Sequence, residues 1–319
     1  MISDKTYRTI ILGCLAILLM ELPCHVWAQV DSTERRPSVG DHVFTPVAYS
    51  NLPFTNTYFS TFMGVGQTYH LVHELNKIEG ADFEGLNGEL AFIEIGFSYQ
   101  QNVRDWLAAY INLQVSARVG TELQSILSQG VNTINSFDIG WHIKLVERDK
   151  IAFSTFVGLL NIKGSFINVS EFIKDVINDV PYPSISTNIP ILAGAAGYRF
   201  AYGISDLVGL KFSGDFIYGE SFERGVNRFS YNVGAGIDFD FNPRYSIPLG
   251  LVLNYSISTM PSQVIDTDEY AQIYHLKIAY TKASDFSLGL EYFYQKIPLP
   301  NISEPSTVNS VALAARFYF

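Results

Sequence analysis

The chain has 319 residues and a formal net charge of −10, and 48% of its residues are hydrophobic while only 16% are charged. This acidity argues against nucleic-acid binding, which depends on basic surface to displace counterions from phosphates. After Met20, no apolar run reaches the roughly 20 residues that a membrane helix needs. Apolar content that is high but dispersed predicts a closed β-barrel, the other architecture that satisfies every backbone hydrogen bond within a membrane.

Residues 1–28 have the features of a secretory signal peptide. Lys5 and Arg8 precede an apolar run over residues 9–20, and the segment ends in Val26, Trp27 and Ala28. We therefore predict cleavage after Ala28, because the run is too short for the alternative, a retained helical anchor. Both cysteines of the sequence lie in this segment, so the predicted mature chain offers neither a disulfide nor a thiolate metal site.

Residues 29–56 precede the first predicted strand and carry a separate pattern. Prolines alternate there with aromatic residues, namely Pro37, Phe44, Pro46, Tyr49, Pro53 and Phe54. Two interpretations remain open for this segment. It enters the barrel as a plug, or it is a disordered tail in the periplasm.

Residues 57–319 predict a transmembrane antiparallel up-and-down β-barrel, an all-β fold. Between Phe229 and Phe241 apolar side chains alternate strictly with small or polar ones, and the same period of two returns over 249–257 and 286–295. Side chains of a strand point to opposite faces, so one face lies in lipid and the other in a polar lumen. The apolar face carries no charge over segments of about 10 residues, as expected for a membrane barrel.

Connections alternate between short and long, which predicts the strand count. Short turns at 101–105, 147–150, 201–205, 242–247 and 281–285 alternate with loops near 73–88, 121–135, 162–189, 219–228, 259–270 and 297–306. Outer-membrane barrels have short periplasmic turns and long external loops, so about twelve strands follow. They are predicted near 57–72, 89–100, 106–119, 136–146, 151–161, 191–201, 206–218, 229–241, 248–258, 271–280, 286–295 and 307–319.

The C-terminus carries a specific signal. Val311, Leu313, Ala315, Phe317 and Phe319 share the lipid-facing parity, and Phe319 is the last residue of the sequence. This segment resembles the C-terminal strand of bacterial outer-membrane proteins. The resemblance implies that the barrel-assembly machinery reads Phe317 and Phe319 and inserts the chain among outer-membrane lipids. The aromatic-rich and glycine-rich style also resembles barrels of the Bacteroidota.

Charged side chains and two histidines fall on the lumen parity. The predicted lumen residues are Glu94, Arg118, His142, Lys144, Arg199, Lys211, Asp215, Asp238, Asp240, His275, Lys277, Glu291 and Arg316. In a barrel of this size such residues form a network of charge pairs that fills and braces the interior. The alternative is a filter that selects among solutes. We favour the brace.

The sequence gives little support for catalysis, and we predict that the protein is not an enzyme and uses no cofactor or metal. Outer-membrane phospholipases use a Ser–His pair, oriented by Asn, on the lipid-facing side of their barrel. His142 and His275 share the lumen parity instead. No Ser–His–acid arrangement can be assigned from sequence spacing.

Two predicted external loops contain apolar residues at helical spacing. One stripe comprises Leu123, Ile126 and Leu127, and the other comprises Phe172, Ile173, Val176, Ile177 and Val180. Such stripes need a cover, either by packing on each other over the barrel mouth or by capturing an apolar ligand. In style this resembles the long-chain fatty-acid transporter family, although the chain is two strands short of that family and lacks a recognisable counterpart of its N-terminus.

Together these patterns predict an outer-membrane barrel that gives passive passage to small solutes, including apolar ones. The alternative is a barrel that conducts nothing and holds its loops for adhesion or within an envelope complex.

Overall fold

The structure, a computed structural model, describes residues 36–48, 51–71, 88–119, 130–167, 172, 175–178, 180–184, 186–220, 227–259, 270–298 and 305–319. Its strands are β1 (Ser38–Val39), β2 (His42–Val43), β3 (Tyr58–Leu71), β4 (Gly88–Arg104), β5 (Leu107–Val119), β6 (Gly130–Arg148), β7 (Ile151–Ile167), β8 (Ser186–Gly203), β9 (Val208–Glu220), β10 (Asn227–Asp240), β11 (Leu249–Ser258), β12 (Ala271–Tyr280), β13 (Phe286–Ile297) and β14 (Ser306–Tyr318). A four-residue helix, α1 (Asn242–Tyr245), follows β10. Within the described residues, no helix is both long enough and apolar enough to cross a membrane.

Strands β3 to β14 form one closed barrel of twelve strands. Each strand pairs antiparallel with its neighbours along the chain, and the circle closes where β14 pairs with β3, for example at Leu313 opposite Met63. Closure leaves no strand edge unpaired, which satisfies the backbone without water. The predicted twelve-stranded antiparallel barrel is confirmed.

Three neighbouring strands are longer than predicted. Strands β6, β7 and β8 continue toward the long connections, and their pairing runs out to Gly130 opposite Ile167 and Ile167 opposite Ser186. The sequence pattern assigned these positions to loops because residues such as Asn132 and Thr133 are polar. In the barrel the backbone of Thr133 is paired with that of Ser165 on β7, and Asn132 is the extra residue of a β-bulge beside it. Polarity at the end of a strand therefore does not mark its boundary.

The outer face of the barrel is apolar and exposed. Every barrel strand contributes to it; Met63, Leu159 and Leu290, for example, are 61%, 58% and 56% exposed. Aromatic side chains also pair across strands on this face, as in Tyr255 and Tyr274, whose ring centroids are 5.1 Å apart. An apolar belt of this kind is what a barrel presents to the hydrocarbon core.

The two ends of the barrel differ. We call the end with the short connections, such as Asp149 and Lys150 between β6 and β7, the turn end, and the opposite end the loop end. In outer-membrane barrels the short turns face the periplasm. Near the loop end, Phe172 and residues 175–177 are helical, within the stripe that has helical spacing in the sequence.

Candidate functional site

The described part of residues 36–56 lies inside the barrel at its turn end, and we call this segment the plug. Phe44 is fully buried and packs near Phe54, with 6.0 Å between ring centroids. Both belong to one apolar cluster with Ala152 of β7 and Ala201 of β8. The described residues of this segment therefore lie within the lumen.

The plug begins with a tight hairpin against the wall. Gly40 and Asp41 both have positive φ, 61° and 62°, the conformation of the type I′ turns that connect two-residue hairpins. The hairpin pairs β1 with β2. The backbone of Val39 approaches Gly203 so closely that a Cβ on Gly203 would lie 2.1 Å from the Val39 carbonyl oxygen. Glycine at 203 thus makes room for the plug.

Asp238 of β10 is the first polar anchor of the plug. This carboxylate is 0% exposed. Its Oδ2 accepts a hydrogen bond from the backbone N–H of Thr45 at 2.9 Å and another from Lys211 Nζ at 3.2 Å. His42 Nε2 lies 3.4 Å from Oδ1. One buried carboxylate thus joins two adjacent strands to the plug.

Glu291 of β13 is the second anchor and has the same composition. It is 1% exposed, and the backbone N–H of Ala48 lies 3.1 Å and 3.0 Å from its two oxygens. His275 Nε2 and Lys277 Nζ, both from β12, each lie 2.8 Å from it. Each anchor is therefore a carboxylate with one lysine, one histidine and one plug amide.

A neutral amide forms the third anchor. Gln100 of β4 donates through Nε2 to the carbonyl oxygens of Phe54 and Asn56, at 2.9 Å each. Its Oε1 then accepts from His142 Nδ1 at 3.2 Å, which leaves His142 Nε2 to accept from the Ser154 hydroxyl at 2.6 Å. A nucleophilic serine needs this order of groups. Here Ser154, His142 and Gln100 are only 0%, 2% and 1% exposed, so the chain of bonds ties the plug to the wall.

Both ends of the plug are also fixed to the wall. Arg36 Nη1 donates to the carbonyl oxygen of Thr281 at 2.5 Å, and the Thr281 hydroxyl donates to Asp240 at 2.8 Å. The Thr55 hydroxyl donates to the carbonyl oxygen of Asp105 at 3.0 Å. The contacts therefore run from one side of the turn end to the other.

Above the plug, the lumen contains a cavity that is lined by both polar and apolar side chains. This cavity of about 110 Å³ has Asn51, Leu52 and Pro53 of the plug in its lining. Its walls include Arg199 and Asp215, which form an ion pair at 2.6 Å. The Arg199 guanidinium also lies 4.5 Å from the centroid of the Phe156 ring. We call this part of the lumen the vestibule.

Further polar groups line the lumen of the same half. Asn112 donates to Asp138 at 3.0 Å, and the Tyr110 hydroxyl donates to the same carboxylate at 3.3 Å. Asp138 was missed in the sequence although it has the lumen parity of His142 on β6. Asn232 of β10, at 3.4 Å from Asp215, belongs to the same polar lining. Asn112, Asp138 and Asn232 are partially exposed, whereas Tyr110 is buried like the anchors.

The structure brings most of the predicted lumen residues into a few clusters. Lys211 meets Asp238, His275 and Lys277 meet Glu291, and Arg199 meets Asp215. The other predicted lumen residues lie elsewhere: Asp240 against Thr281, Arg316 over the Tyr58 ring at 4.1 Å, His142 between Gln100 and Ser154, Glu94 buried and Arg118 half-buried.

Lys144 lies on β6, in the part of the strand that leads to the turn end. It pairs with Glu147 at 2.5 Å, three residues along the same strand. A β-bulge between Lys144 and Val146 makes this possible, because the extra residue Leu145 shifts the alternation. The pair stands apart from the two carboxylate anchors.

The predicted capture residues are only partly described. Leu123, Ile126, Leu127 and Ile173 lie outside the described residues. Phe172 is half-buried, whereas Val176 and Ile177 are 50% and 65% exposed. The predicted assembly residues Phe317 and Phe319 are 41% and 70% exposed on the outer face, and Phe317 packs on Phe286 with centroids 4.9 Å apart.

Two anchoring residues were not singled out in the sequence. Gln100 ends a predicted strand beside a predicted turn, so its polarity matched its neighbours. His42 lies in the segment with two open interpretations. Gln100 is the last lumen-facing residue of its predicted strand, and a polar side chain at that position is the signal that could have pointed to it.

No family model matches the chain, and no curated protein matches it. Among solved structures, the translocator domain of the autotransporter NalP from Neisseria meningitidis is similar at 10% identity and a TM-score of 0.49, with 84% of this chain and 90% of that chain covered. A FadL homologue of Pseudomonas aeruginosa is similar at 9% identity and a TM-score of 0.44, with 82% of this chain and 90% of that chain covered. The KdgM porin in complex with disordered oligogalacturonate is similar at 8% identity and a TM-score of 0.40, with 82% of this chain and 99% of that chain covered.

The class of the protein follows from its own geometry. A closed antiparallel barrel of twelve strands, with an apolar outer belt and a polar lumen, is the architecture of an outer-membrane β-barrel protein. The chain is a barrel of this class whose turn end is filled by its own N-terminal segment.

Proposed function

We propose that the protein gives passive passage to small solutes across the outer membrane, and that the plug closes this passage in the state described here. The observation that carries the proposal is the separation of wall and plug. Strands β1 and β2 pair with each other in a two-stranded sheet of their own, not with the barrel. The plug can therefore leave the lumen while every pair of barrel strands stays intact.

The lining of the vestibule favours small hydrophilic solutes. Hydrogen-bonding groups from several strands, among them Asp215, Asn232 and Asn254, surround a cavity of about 110 Å³. Groups of this kind replace part of the hydration shell of a polar solute. Apolar solutes remain a separate proposal, which rests on the exposed Val176 and Ile177. Replacing both with Ser should weaken uptake of apolar solutes alone.

Deleting the plug tests the proposal directly. The predicted mature chain, 29–319, and a chain of residues 57–319 are refolded and compared by current in planar bilayers and by liposome swelling with sugars of graded size. We expect a nearly silent full chain and steady conductance from the deleted chain, because removal of residues 36–56 empties the turn end. Heat modifiability in detergent controls for folding of both barrels.

A non-conducting scaffold is the second candidate. It is favoured by the depth of the plug, since Phe44, Pro46 and Pro53 are all fully buried. In that case the plug is a permanent core that stabilises a barrel of twelve strands. The folded 57–319 chain would then pass neither ions nor sugars, and its unfolding temperature would fall sharply.

A further inference from the structure

The two carboxylate anchors share one design that a simple wall brace does not require. In each, a lysine of the neighbouring strand binds the carboxylate from within the wall, Lys211 for Asp238 and Lys277 for Glu291. His275 of the wall also contacts Glu291, and part of the acceptor capacity of each carboxylate is directed at the plug. It is taken by a backbone N–H, that of Thr45 in one anchor and Ala48 in the other.

The two kinds of contact behave differently when the plug leaves. The lysine–carboxylate pairs join β9 to β10 and β12 to β13, so they persist in an empty barrel. The bonds to Thr45 and Ala48 exist only when the plug is seated. Release of the plug leaves each anchor carboxylate paired with its lysine, which avoids the cost of an unpaired buried charge at these two points. The barrel is therefore suited to two states, plug in and plug out.

We propose that Asp238 and Glu291 are a two-point gate that holds the plug in the lumen and sets how often the passage opens. The proposal rests on the passage function and adds its regulation. Hydrogen bonds to a charged acceptor are among the stronger ones in proteins, and losing one should change the ratio of closed to open barrels by roughly tenfold to a hundredfold. When both hydrogen bonds are lost, the two changes in this ratio multiply.

The gate is tested in the full chain with Asp238→Asn, Glu291→Gln and the double variant. Each substitution keeps the shape of the side chain but weakens the bond to the plug amide, whereas the neighbouring lysine loses its counter-charge whether the plug is in or out. We expect open probability to rise in each single variant and most in the double variant. The matched control is Glu147→Gln, which removes a carboxylate whose lysine partner, Lys144, lies on the same wall strand and which stands apart from both anchors.

A second readout does not depend on conduction. The sequence has no cysteine after Cys24, so Thr45→Cys introduces a single thiol into the predicted mature chain. Reaction of this thiol with a charged maleimide reports release of the plug. In the double variant we expect the reaction to be at least tenfold faster, since the thiol is buried only in the closed state. Glu147→Gln should leave the rate unchanged.

Ala48→Pro guards against variants whose barrel fails to fold. It removes the N–H that Glu291 accepts and leaves the wall untouched, so it should also raise the labelling rate and the open probability. If the variants label faster but pass no current, and the 57–319 chain is also silent, the gate is supported and the passage is overturned.

If the 57–319 chain passes current but the gate variants Asp238→Asn, Glu291→Gln and their double variant keep the labelling rate and the current of the unsubstituted chain, the gate is overturned and the passage stands.

Discussion

The wall and the plug are held in place by different interactions. The wall is a continuous ladder of backbone hydrogen bonds, such as those along β9 and β10 from Asn227 to Phe239. Among the described residues, the plug has no such ladder with the wall. It is held by hydrogen bonds between side chains of one part and backbone atoms of the other, and by burial of Phe44 and Phe54.

This difference teaches where each part gets its stability. A ladder is cooperative, because each pair of strands fixes the next, so damage to its closing strand affects the whole barrel. The plug is held by a few separate contacts, so its stability should fall step by step as they are removed. The wall and plug should therefore respond to different substitutions.

The largest effect is expected at the C-terminal residue of the wall. Phe319→Asp places a charge where a 70% exposed aromatic side chain faces the membrane. We expect export to continue and outer-membrane levels of folded barrel to fall to near background, measured by fractionation and heat modifiability. Phe319→Tyr keeps the aromatic ring and is the control. Normal levels of the Asp variant would contradict this prediction.

A smaller effect, confined to the plug, is expected from Phe44→Ala. Removing a fully buried phenylalanine costs about 3–5 kcal/mol. The loss should appear as release of the plug, seen as faster maleimide labelling of Thr45→Cys in the same chain. The midpoint for unfolding of the Phe44→Ala barrel, measured by circular dichroism, should be no lower than the midpoint of the 57–319 chain. If the midpoint of the Phe44→Ala chain is lower than that and its labelling rate is unchanged, wall and plug unfold as one unit.

The smallest change is a single methyl group at the seat of the plug. Gly203→Ala would bring a Cβ within 2.1 Å of the Val39 carbonyl oxygen, which is incompatible with the seated hairpin. We expect a folded barrel in which Thr45→Cys labels faster. Gly194→Ala in the same strand is the matched control, because its Cβ would meet nothing closer than 3.8 Å. Equal labelling of the two variants would place the hairpin elsewhere.

The sequence predicted the wall because strand alternation is local. The alternation around Phe229 predicts a strand without knowledge of its partner strands. The pairing of successive strands then follows from the short connections. The exception is the outer extension of β6 to β8, where polar residues such as Asn132 continue a strand. Polarity there reflects a position beyond the apolar belt, which a pattern of hydrophobicity reads as a loop.

The plug contacts were out of reach of the sequence for a physical reason. Parity indicated that Asp238 and Glu291 face the lumen, and the structure places both there. Their partners are the backbone amides of Thr45 and Ala48, and every residue except proline carries such an amide. No residue type marks which amide a carboxylate will bind, so the choice between a plug and a tail needed the fold.

The central claim is that a detachable plug closes an otherwise open barrel, and a reversible cross-link tests it most directly. The Thr45 hydroxyl oxygen lies 2.9 Å from where a Cβ on Gly250 would be, which suits a disulfide between Thr45→Cys and Gly250→Cys once the Thr281 methyl turns aside. Current is recorded from this double cysteine chain in the Asp238→Asn, Glu291→Gln background, before and after reduction. We predict silence while the disulfide is intact and conductance after reduction. The same current in both redox states would contradict the claim.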